Sequence, residues 1–597
     1  MFSELTWPIL ATTFNLFSVS VDSLESRGAL DFEALPNDSR PVVMFKALVW
    51  MSLLLQARAG GLPLFVDVAQ KAGITLMNVD GVAGRKPTLL ESVGNGAGFL
   101  DYDNDGDEDL LIANGSTWET FKNGGDLMAV LYRNDAGKFT DVTRQAGLDR
   151  RGWGMGVCVA DYDNDGYRDF YVTAYGSSAL YKNNRNGTFR EVSEIAGVRD
   201  TRWSTGCSFG DYDRDGNLDL YVANYLKLDA PDNRTNAPGC QTQYMGLNVF
   251  CGPIGLQGEP DALYRNNGDG TFSDVTKAAG IKDPGYYGFA AVFSDLDNDG
   301  WPDIYVANDS VPNLLFHNNK NGTFSEMGLL SGTALGGNGK AQAGMGLAVG
   351  DYDGNGFQDL FVTNFTQDSN TLYQNIGDMV FNDVSSTSGL AAPSIPYLGW
   401  GTAFADLDND GFEDLLVAYG HIYPGIDSLK AGQRFLQPKQ VFRNMGNGRF
   451  SEITRALGGD LLRPRSARGT AVGDYDNDGD IDAIAINLND RPNLYQNVGG
   501  NKNHWISLRL EGTKSNRDAI GARVVLRAGG KTQLREIISG GSYLSSNDLR
   551  VHFGLGDVTS IESVQVQWPS GKNEEFTNME ADRILYVREG AGIVPRL

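Results

Sequence analysis

Asp161-Tyr162-Asp163-Asn164-Asp165-Gly166-Tyr167-Arg168-Asp169-Phe170-Tyr171-Val172 crowds four carboxylates into nine residues and then runs into a β-prone stretch. Like charges at that density repel strongly unless a cation sits among them. The same pattern, D-x-D-x-[DN]-G-x-x-D, also begins at Asp101, Asp211, Asp295, Asp351, Asp406 and Asp474. Each copy follows a glycine-containing apolar run, such as Gly154 to Ala160, and precedes another, such as Leu220-Tyr221-Val222 or Ile304-Tyr305-Val306. These read as two strands joined by an acidic loop.

A second element follows each loop. Leu131-Tyr132-Arg133-Asn134, Leu180-Tyr181-Lys182-Asn183 and Leu263-Tyr264-Arg265-Asn266 are examples. In the first six copies an Asn/Gly/Asp turn and a run such as Phe272-Ser273-Asp274-Val275-Thr276 come next, which is a hairpin. One repeat is therefore four strands, the content of a propeller blade. The seventh copy has Leu494-Tyr495-Gln496-Asn497 but no fourth strand. The missing piece stands before the first loop, as Phe65-Val66-Asp67-Val68. Strand exchange between the two ends would close the ring and remove the exposed sheet edges of an open array. Residues 502 to 590 alternate apolar strands (Trp505 to Leu508, Val524 to Leu526, Val564 to Val566) with glycine-rich turns. The expected fold is all-β: a seven-bladed β-propeller over residues 60–500 and a small C-terminal β-sandwich-like domain over 501–597.

Calcium takes six to eight oxygen ligands, with a glycine permitting the sharp turn. Position 6 is glycine in every loop. The expected ligands at position 1 are Asp101, Asp161, Asp211, Asp295, Asp351, Asp406 and Asp474. Position 3 supplies Asp103, Asp163, Asp213, Asp297, Asp353, Asp408 and Asp476. Position 5 supplies Asp105, Asp165, Asp215, Asp299, Asn355, Asp410 and Asp478. Position 9 supplies Asp109, Asp169, Asp219, Asp303, Asp359, Asp414 and Asp482. An EF-hand would need Glu at position 12, where Ile112, Val172, Val222, Val306, Val362, Val417 and Ala485 stand instead. Up to seven Ca²⁺ are expected, offsetting much of a net charge of −25. That charge argues against nucleic acid as a partner.

No run of eighteen apolar residues exists, so no transmembrane segment is expected. Met44-Phe45-Lys46, the apolar run Ala47 to Leu55 and Ala57-Arg58-Ala59 have the order of a secretory signal over residues 44–59. Residues 1–43 then read as a misassigned extension, and the protein as secreted, extracellular or periplasmic. Of four cysteines, Cys240 and Cys251 flank a polar loop and are the expected disulfide. Cys158 and Cys207 lie in apolar runs and are expected as buried thiols.

The repeats resemble the FG-GAP/VCBS family of calcium-loop propeller repeats, also found in integrin α chains. Residues Ser515 to Ala522, Gly541 to Ser545, His552 to Gly556 and Trp568 to Gly571 resemble the ASPIC/UnbV domain. Together they look like the cartilage acidic protein family and its bacterial relatives. The resemblance implies an extracellular calcium-binding protein with adhesion-like roles and no established catalysis. Two loops depart from the pattern: Arg214 stands at position 4 of the third, and Gly354 with Asn355 at positions 4 and 5 of the fifth, which is expected to bind calcium more weakly.

All acidic loops join strands 1 and 2 and so share one face of a propeller. The long insertions, Gly115 to Met128, Lys227 to Asp261 and Gly420 to Gln440, crowd the other. Trp153, Trp203 and Tyr287 each lie eight residues before their loop, on the insertion-bearing face. They are the expected ligand face for an extracellular protein or glycan, with interblade packing as the competing role. The four histidines, His317, His421, His504 and His552, sit in no metal or nucleophile motif. The alternative to a binding module is a calcium-dependent polysaccharide lyase or hydrolase, with acids drawn from Asp229, Asp232, Glu259 and Asp261.

Overall fold

The computed structural model describes residues 62–84, 86, 88–228, 241–429 and 432–596. The signal-like segment 44–59 and the extension 1–43 lie outside them. Residues 61–597 form one compact unit. Among the described residues no helix is long and apolar enough to cross a membrane.

Each acidic loop joins the first two strands of its own antiparallel sheet, numbered here by its loop. Sheet 1, for example, runs Ala97–Leu100, Asp109–Ala113, Ala129–Asn134 and Phe139–Asp141. Sheet 7 has Ala467–Gly473, Asp482–Asn487 and Asn493–Val498, and its fourth strand is Leu64–Asp67. Phe65 lies opposite Asn497 in that antiparallel pairing, which is the strand exchange expected from the split repeat. The first strand of every sheet packs beside that of the next, and the first strand of sheet 7 packs beside that of sheet 1.

The approach at these first strands is close enough to demand glycine. A Cβ on Gly206 would stand 2.4 Å from the Phe289 carbonyl oxygen, and one on Gly346 2.0 Å from that of Trp400. The second strands are apolar on both faces because each sheet has a neighbour on both sides. Leu110 and Ile112 pack with Ile484 and Leu494 of sheet 7, whereas Leu111 and Ala113 pack with Val159 and Phe170 of sheet 2. The period-2 alternation of a strand sends them opposite ways.

The outer strand contributes one phenylalanine, which packs on position 2 of the preceding loop. Phe139 meets Tyr475, Phe189 meets Tyr102 and Phe272 meets Tyr162, with ring centres 5.6–5.9 Å apart. Phe65 takes the same place in the cluster containing Leu407.

Two further four-stranded sheets follow. One pairs Val551–Gly556, His504–Glu511, Arg583–Arg588 and Gly592–Val594. The other pairs Lys531–Glu536, Arg523–Ala528, Ser560–Gln567 and Asn573–Glu580. Their inward residues, among them Ile506, Leu508, Val524, Leu526 and Val564, share one core.

Cys158 and Cys207 form a disulfide, which corrects the expectation of two thiols. They are 49 residues apart in sequence but lie on the first strands of neighbouring sheets, with Cα atoms 6.0 Å apart. Only the cycle of sheets makes them neighbours. Cys251 is disulfide-bonded, and its expected partner Cys240 lies outside the described residues.

Candidate metal centres

Every loop uses its own backbone to organise its carboxylates. In the second, Asp161 Oδ1 accepts from Asp165 N at 2.9 Å and Oδ2 from Gly166 N at 2.6 Å. Asp165 Oδ1 accepts from Tyr167 N at 3.0 Å. The position-6 glycines all have φ between +84° and +92°, where only glycine sits without strain. Position 9 reaches back: Asp219 accepts from Tyr212 N through Oδ2 and from Asn266 N through Oδ1.

Positions 1, 3 and 9 converge. Oxygens of Asp101, Asp103 and Asp109 lie within 4.8 Å of one another, as do those of Asp161, Asp163 and Asp169, of Asp211, Asp213 and Asp219, and of Asp351, Asp353 and Asp359. Burial pushes Asp109 up to about 10 and Asp211 up to about 7, and it raises Asp359 and Asp482 well above the usual carboxylate range. Buried oxygens of Asp101, Asp103, Asp163, Asp213, Asp408 and Asp476 have no hydrogen-bond partner. Unpaired buried acceptors on clustered carboxylates fit a hard cation that takes oxygen ligands. These clusters can hold metal ions.

The residue between the aromatic and the asparagine of the third strand also reaches the cluster. Lys182 pairs with Asp163, Arg443 with Asp408 at 2.7 Å, and Gln496 donates to Asp476 at 2.7 Å. In sheet 4 this residue is His317, whose Nδ1 lies 3.0 Å from Asp303 and groups with Asp297 and Asp299. The sequence reading gave no histidine such a place. The repeating pattern of that third-strand position was the signal that could have found it.

Two asparagines join loop to loop. The last residue of the L-Y-x-N element is buried, and its amide crosses to the preceding sheet: Asn134 to the Tyr475 carbonyl, Asn183 to Tyr102, Asn266 to Tyr162, Asn497 to Leu407. Position 4, in the left-handed region, sends its amide the other way. Asn104 donates to the Gly166 carbonyl, Asn164 to Gly216, Asn298 to Gly356, Asn409 to Gly479 and Asn477 to Gly106. Asn tolerates that backbone better than most residues. At the third loop Arg214 instead lies over the Trp301 ring of the fourth, 5.2 Å from its centre. Gly354 has no side chain to bridge with.

The C-terminal sheets dock on this face and touch all seven loops. Arg509 pairs with Asp101 at 2.7 Å, and Asp518 accepts from Asp161 N at 2.6 Å. The Pro569 carbonyl accepts from Arg214, and Glu536 accepts from Asp295 N at 3.2 Å. Arg523 donates to the Gly356 carbonyl at 3.2 Å, His552 Nε2 lies 2.6 Å from Asn409 Oδ1, and Arg550 donates to the Asp474 carbonyl. Arg517, whose N donates to Asn164 Oδ1, and Asp518 are thus part of the clamp.

A segment of the same domain enters the middle of the cycle. Ser542 exchanges backbone bonds with Leu347, and its hydroxyl donates to the Thr470 carbonyl. Leu544 O accepts from Val157 N, Ser546 pairs with Gly98, and Ser208 donates to Ser539 O. Tyr543 goes deepest, with its hydroxyl on the Val93 carbonyl and its ring 4.8 Å from Trp400.

There it meets the residues expected as a ligand face. Trp153 (0% exposed), Trp203 (2%) and Tyr287 (6%) do come together, in one cluster with Tyr225, Phe289, Trp400 and Tyr543. Trp153 Nε1 donates to Asp80 at 3.1 Å, and Tyr287 OH to the Leu256 carbonyl at 3.0 Å. None presents a ring to solvent, so the open platform expected from sequence is a packed hub. Their spacing from the loop marks the end of the strand, not the direction in which the rings point. The hairpin Gln241–Tyr244 and Leu247–Phe250 of the sheet-3 insertion lies over the same end, with Phe250 and Tyr244 against Tyr423.

The pattern described as FG-GAP-like repeat matches residues 101–172, 161–222, 248–306, 295–362, 351–417 and 437–485. ASPIC and UnbV matches 512–594. The chain is 27% identical over 519 residues to cartilage acidic protein 1 of Mus musculus, covering 80% of this chain and 70% of the relative. It is 28% identical over 504 residues to that of Xenopus tropicalis, with the same coverage. Among solved structures, an Agrocybe aegerita lectin specific for non-reducing terminal N-acetylglucosamine aligns at 17% identity and TM-score 0.35. That alignment covers 61% of this chain and 80% of the lectin.

Proposed function

From the premise that this chain belongs to the FG-GAP-like repeat family and ends in an ASPIC and UnbV domain, we propose that it is a secreted, calcium-loaded binding protein. The proposed architecture is a seven-bladed β-propeller over residues 60–500 and a sandwich-like domain over 501–597. Residues 44–59 would direct export to the extracellular or periplasmic space, where the Cys158–Cys207 bond is stable. The ligand would be an extracellular protein or glycan, bound and not transformed.

One observation carries the calcium reading: buried carboxylate clusters whose oxygens lack hydrogen-bond partners. The position-1, -3, -5 and -9 side chains named above would be the ligands. Calcium suits them better than magnesium, which demands octahedral geometry and keeps its waters. Binding at a hundredfold excess over Kd stabilises by about 2.7 kcal/mol per site, and several sites act on one unit. Thermal unfolding of residues 60–597 with excess calcium and with chelator tests this. A large fall in Tm on chelation, restored by calcium and poorly by magnesium, is expected. An unchanged Tm would remove the loops as structural metal sites.

A further inference from the structure

At the end of the axis away from the acidic loops, a cleft of about 560 Å³ opens between the sheet-1 insertion and the short connection after the second strand of sheet 2. Phe121, Tyr175, Arg150, Arg151 and Arg199 line it, together with the carboxylates of Asp149 and Glu191. On a chain of net charge −25, a cleft whose three guanidinium groups outnumber its two carboxylates stands out.

Their arrangement is specific. The Ser177 hydroxyl accepts from Arg150 at 2.6 Å and from Arg199 at 3.2 Å, so one atom holds two cations side by side. Glu191 and Glu194 offset these two, at 2.9 and 2.7 Å. Arg151 has no such partner. Among the described residues it makes no ion pair and donates only to the Gly125 carbonyl at 3.2 Å. It is exposed and keeps most of its five donors free.

The floor is apolar. Phe121 and Tyr175 are half-buried, with ring centres 5.5 Å apart. The rim is bare backbone: a Cβ on Gly124 would meet nothing within 4 Å, and one on Gly176 only the edge of Phe121 at 3.7 Å. Aromatic faces take the C–H faces of sugar rings, and a planar guanidinium takes carboxylate or sulfate in a bidentate fork.

We propose that this cleft binds an anionic oligosaccharide, with Arg151 as the principal anion contact, Arg150 and Arg199 as flanking cations, and Phe121 and Tyr175 beneath the sugar ring. This deepens the binding reading above and rests on it. It also moves the ligand from the buried hub of Trp153 and Trp203 to accessible surface a few ångströms away, since the Tyr175 ring centre is 5.9 Å from that of Trp203.

The test is calorimetric titration of the calcium-loaded protein with an oligogalacturonate, a heparin-derived oligosaccharide and a neutral maltooligosaccharide, at low and high salt. Saturable binding of an acidic glycan, weakened by salt and absent for the neutral one, is expected. Whether the carboxylated or the sulfated probe binds tells which anion is read. Arg151→Glu should weaken binding about tenfold or more, with Tm unchanged, since the side chain is exposed. Arg199→Glu should act in the same direction and less. Equal binding of the neutral glycan, an acidic-glycan affinity unmoved by Arg151→Glu, or binding of a poly-glutamate peptide alone would overturn the proposal. No glycan binding by protein whose melting still responds to calcium would sink this inference alone. Loss of the calcium response would sink the metal reading instead.

Discussion

At the end of the axis that carries the acidic loops, Arg509, Asp518, Glu536, His552 and Arg550 hold the C-terminal domain to the loop ring by charge and hydrogen bonds. At the other end, Trp153, Trp203, Tyr225, Phe289 and Trp400 close the axis by packing, with Tyr543 driven in from the far side. The two closures respond to different things. Charged contacts depend on what the loops carry: a carboxylate holding a cation presents a different field from one that is bare. The aromatic hub depends on apolar area removed from water, which metal leaves untouched. One continuous segment, from Ser539 to Asp548, belongs to both ends. Calcium should therefore govern the loop face and the docking of the C-terminal domain, and the hub should hold with or without it.

Trp203→Ala probes the metal-independent end and carries the largest expected effect of a single substitution. The side chain is buried against Tyr225, with ring centres 4.9 Å apart, and truncation leaves a cavity in a dense cluster. A cost of about 3–5 kcal/mol is expected in denaturant unfolding, the same with calcium and with chelator. A cost that vanished under chelation would show that the hub forms only when the loops are loaded, and the contrast between the ends would collapse.

The legible parts of the molecule were those that repeat. Seven copies of an acidic loop revealed the sheets, and the shortfall of one strand in the last copy pointed to Phe65 to Val68, where the structure has the completing strand Leu64–Asp67. What repeats only in three dimensions stayed hidden. Cys158 and Cys207 become partners because the cycle lays two first strands side by side. Gly541 to Ser545 stood out only as part of a family resemblance. Small polar residues without periodicity give no sign that they will thread a ring and bond to several strands at once. Trp153, Trp203 and Tyr287 were placed at the correct end but not turned inward, because strand position does not say which way a ring faces when both sides of a sheet are buried. Asn at position 4 was read only as part of the loop pattern, because its bridging role exists only between loops from different repeats.

That bridge offers a finer probe of the loop face. Asn164 donates to the Gly216 carbonyl at 2.9 Å, and its Oδ1 accepts from Arg517 N at 2.7 Å, so one side chain ties loop to loop and loop to cap. Asn164→Ala removes both bonds and should cost about 1–3 kcal/mol, because the partner groups lose their hydrogen bonds. It should also speed the loss of protection of amides near Arg517 in hydrogen exchange. Asn298→Ala, at a junction where the bridge to Gly356 is exposed, should cost less. Equal costs at the two sites would mean that the contact to the C-terminal domain contributes nothing.

The smallest effect runs in the opposite direction. Gly354 occupies position 4 of the fifth loop with φ +72°, the backbone region that the bridging asparagines use at +53° to +63°. The place is open, since an added Cβ would meet only the Thr532 carbonyl oxygen at 4.0 Å. Gly354→Asn should therefore rebuild the missing bridge, to the Gly411 carbonyl of the sixth loop. Asn tolerates the left-handed region, and replacing glycine also lowers the entropy of the unfolded chain. A gain of a few tenths to about 1 kcal/mol is expected with calcium present. Gly354→Ala separates the two contributions: it keeps the entropic gain, pays strain at positive φ and cannot bridge. If the asparagine variant is no more stable than the alanine one, the position-4 amide is a passenger of the loop conformation, and the side-chain hydrogen bonds that join sheet to sheet there are those of Asn134 and its counterparts.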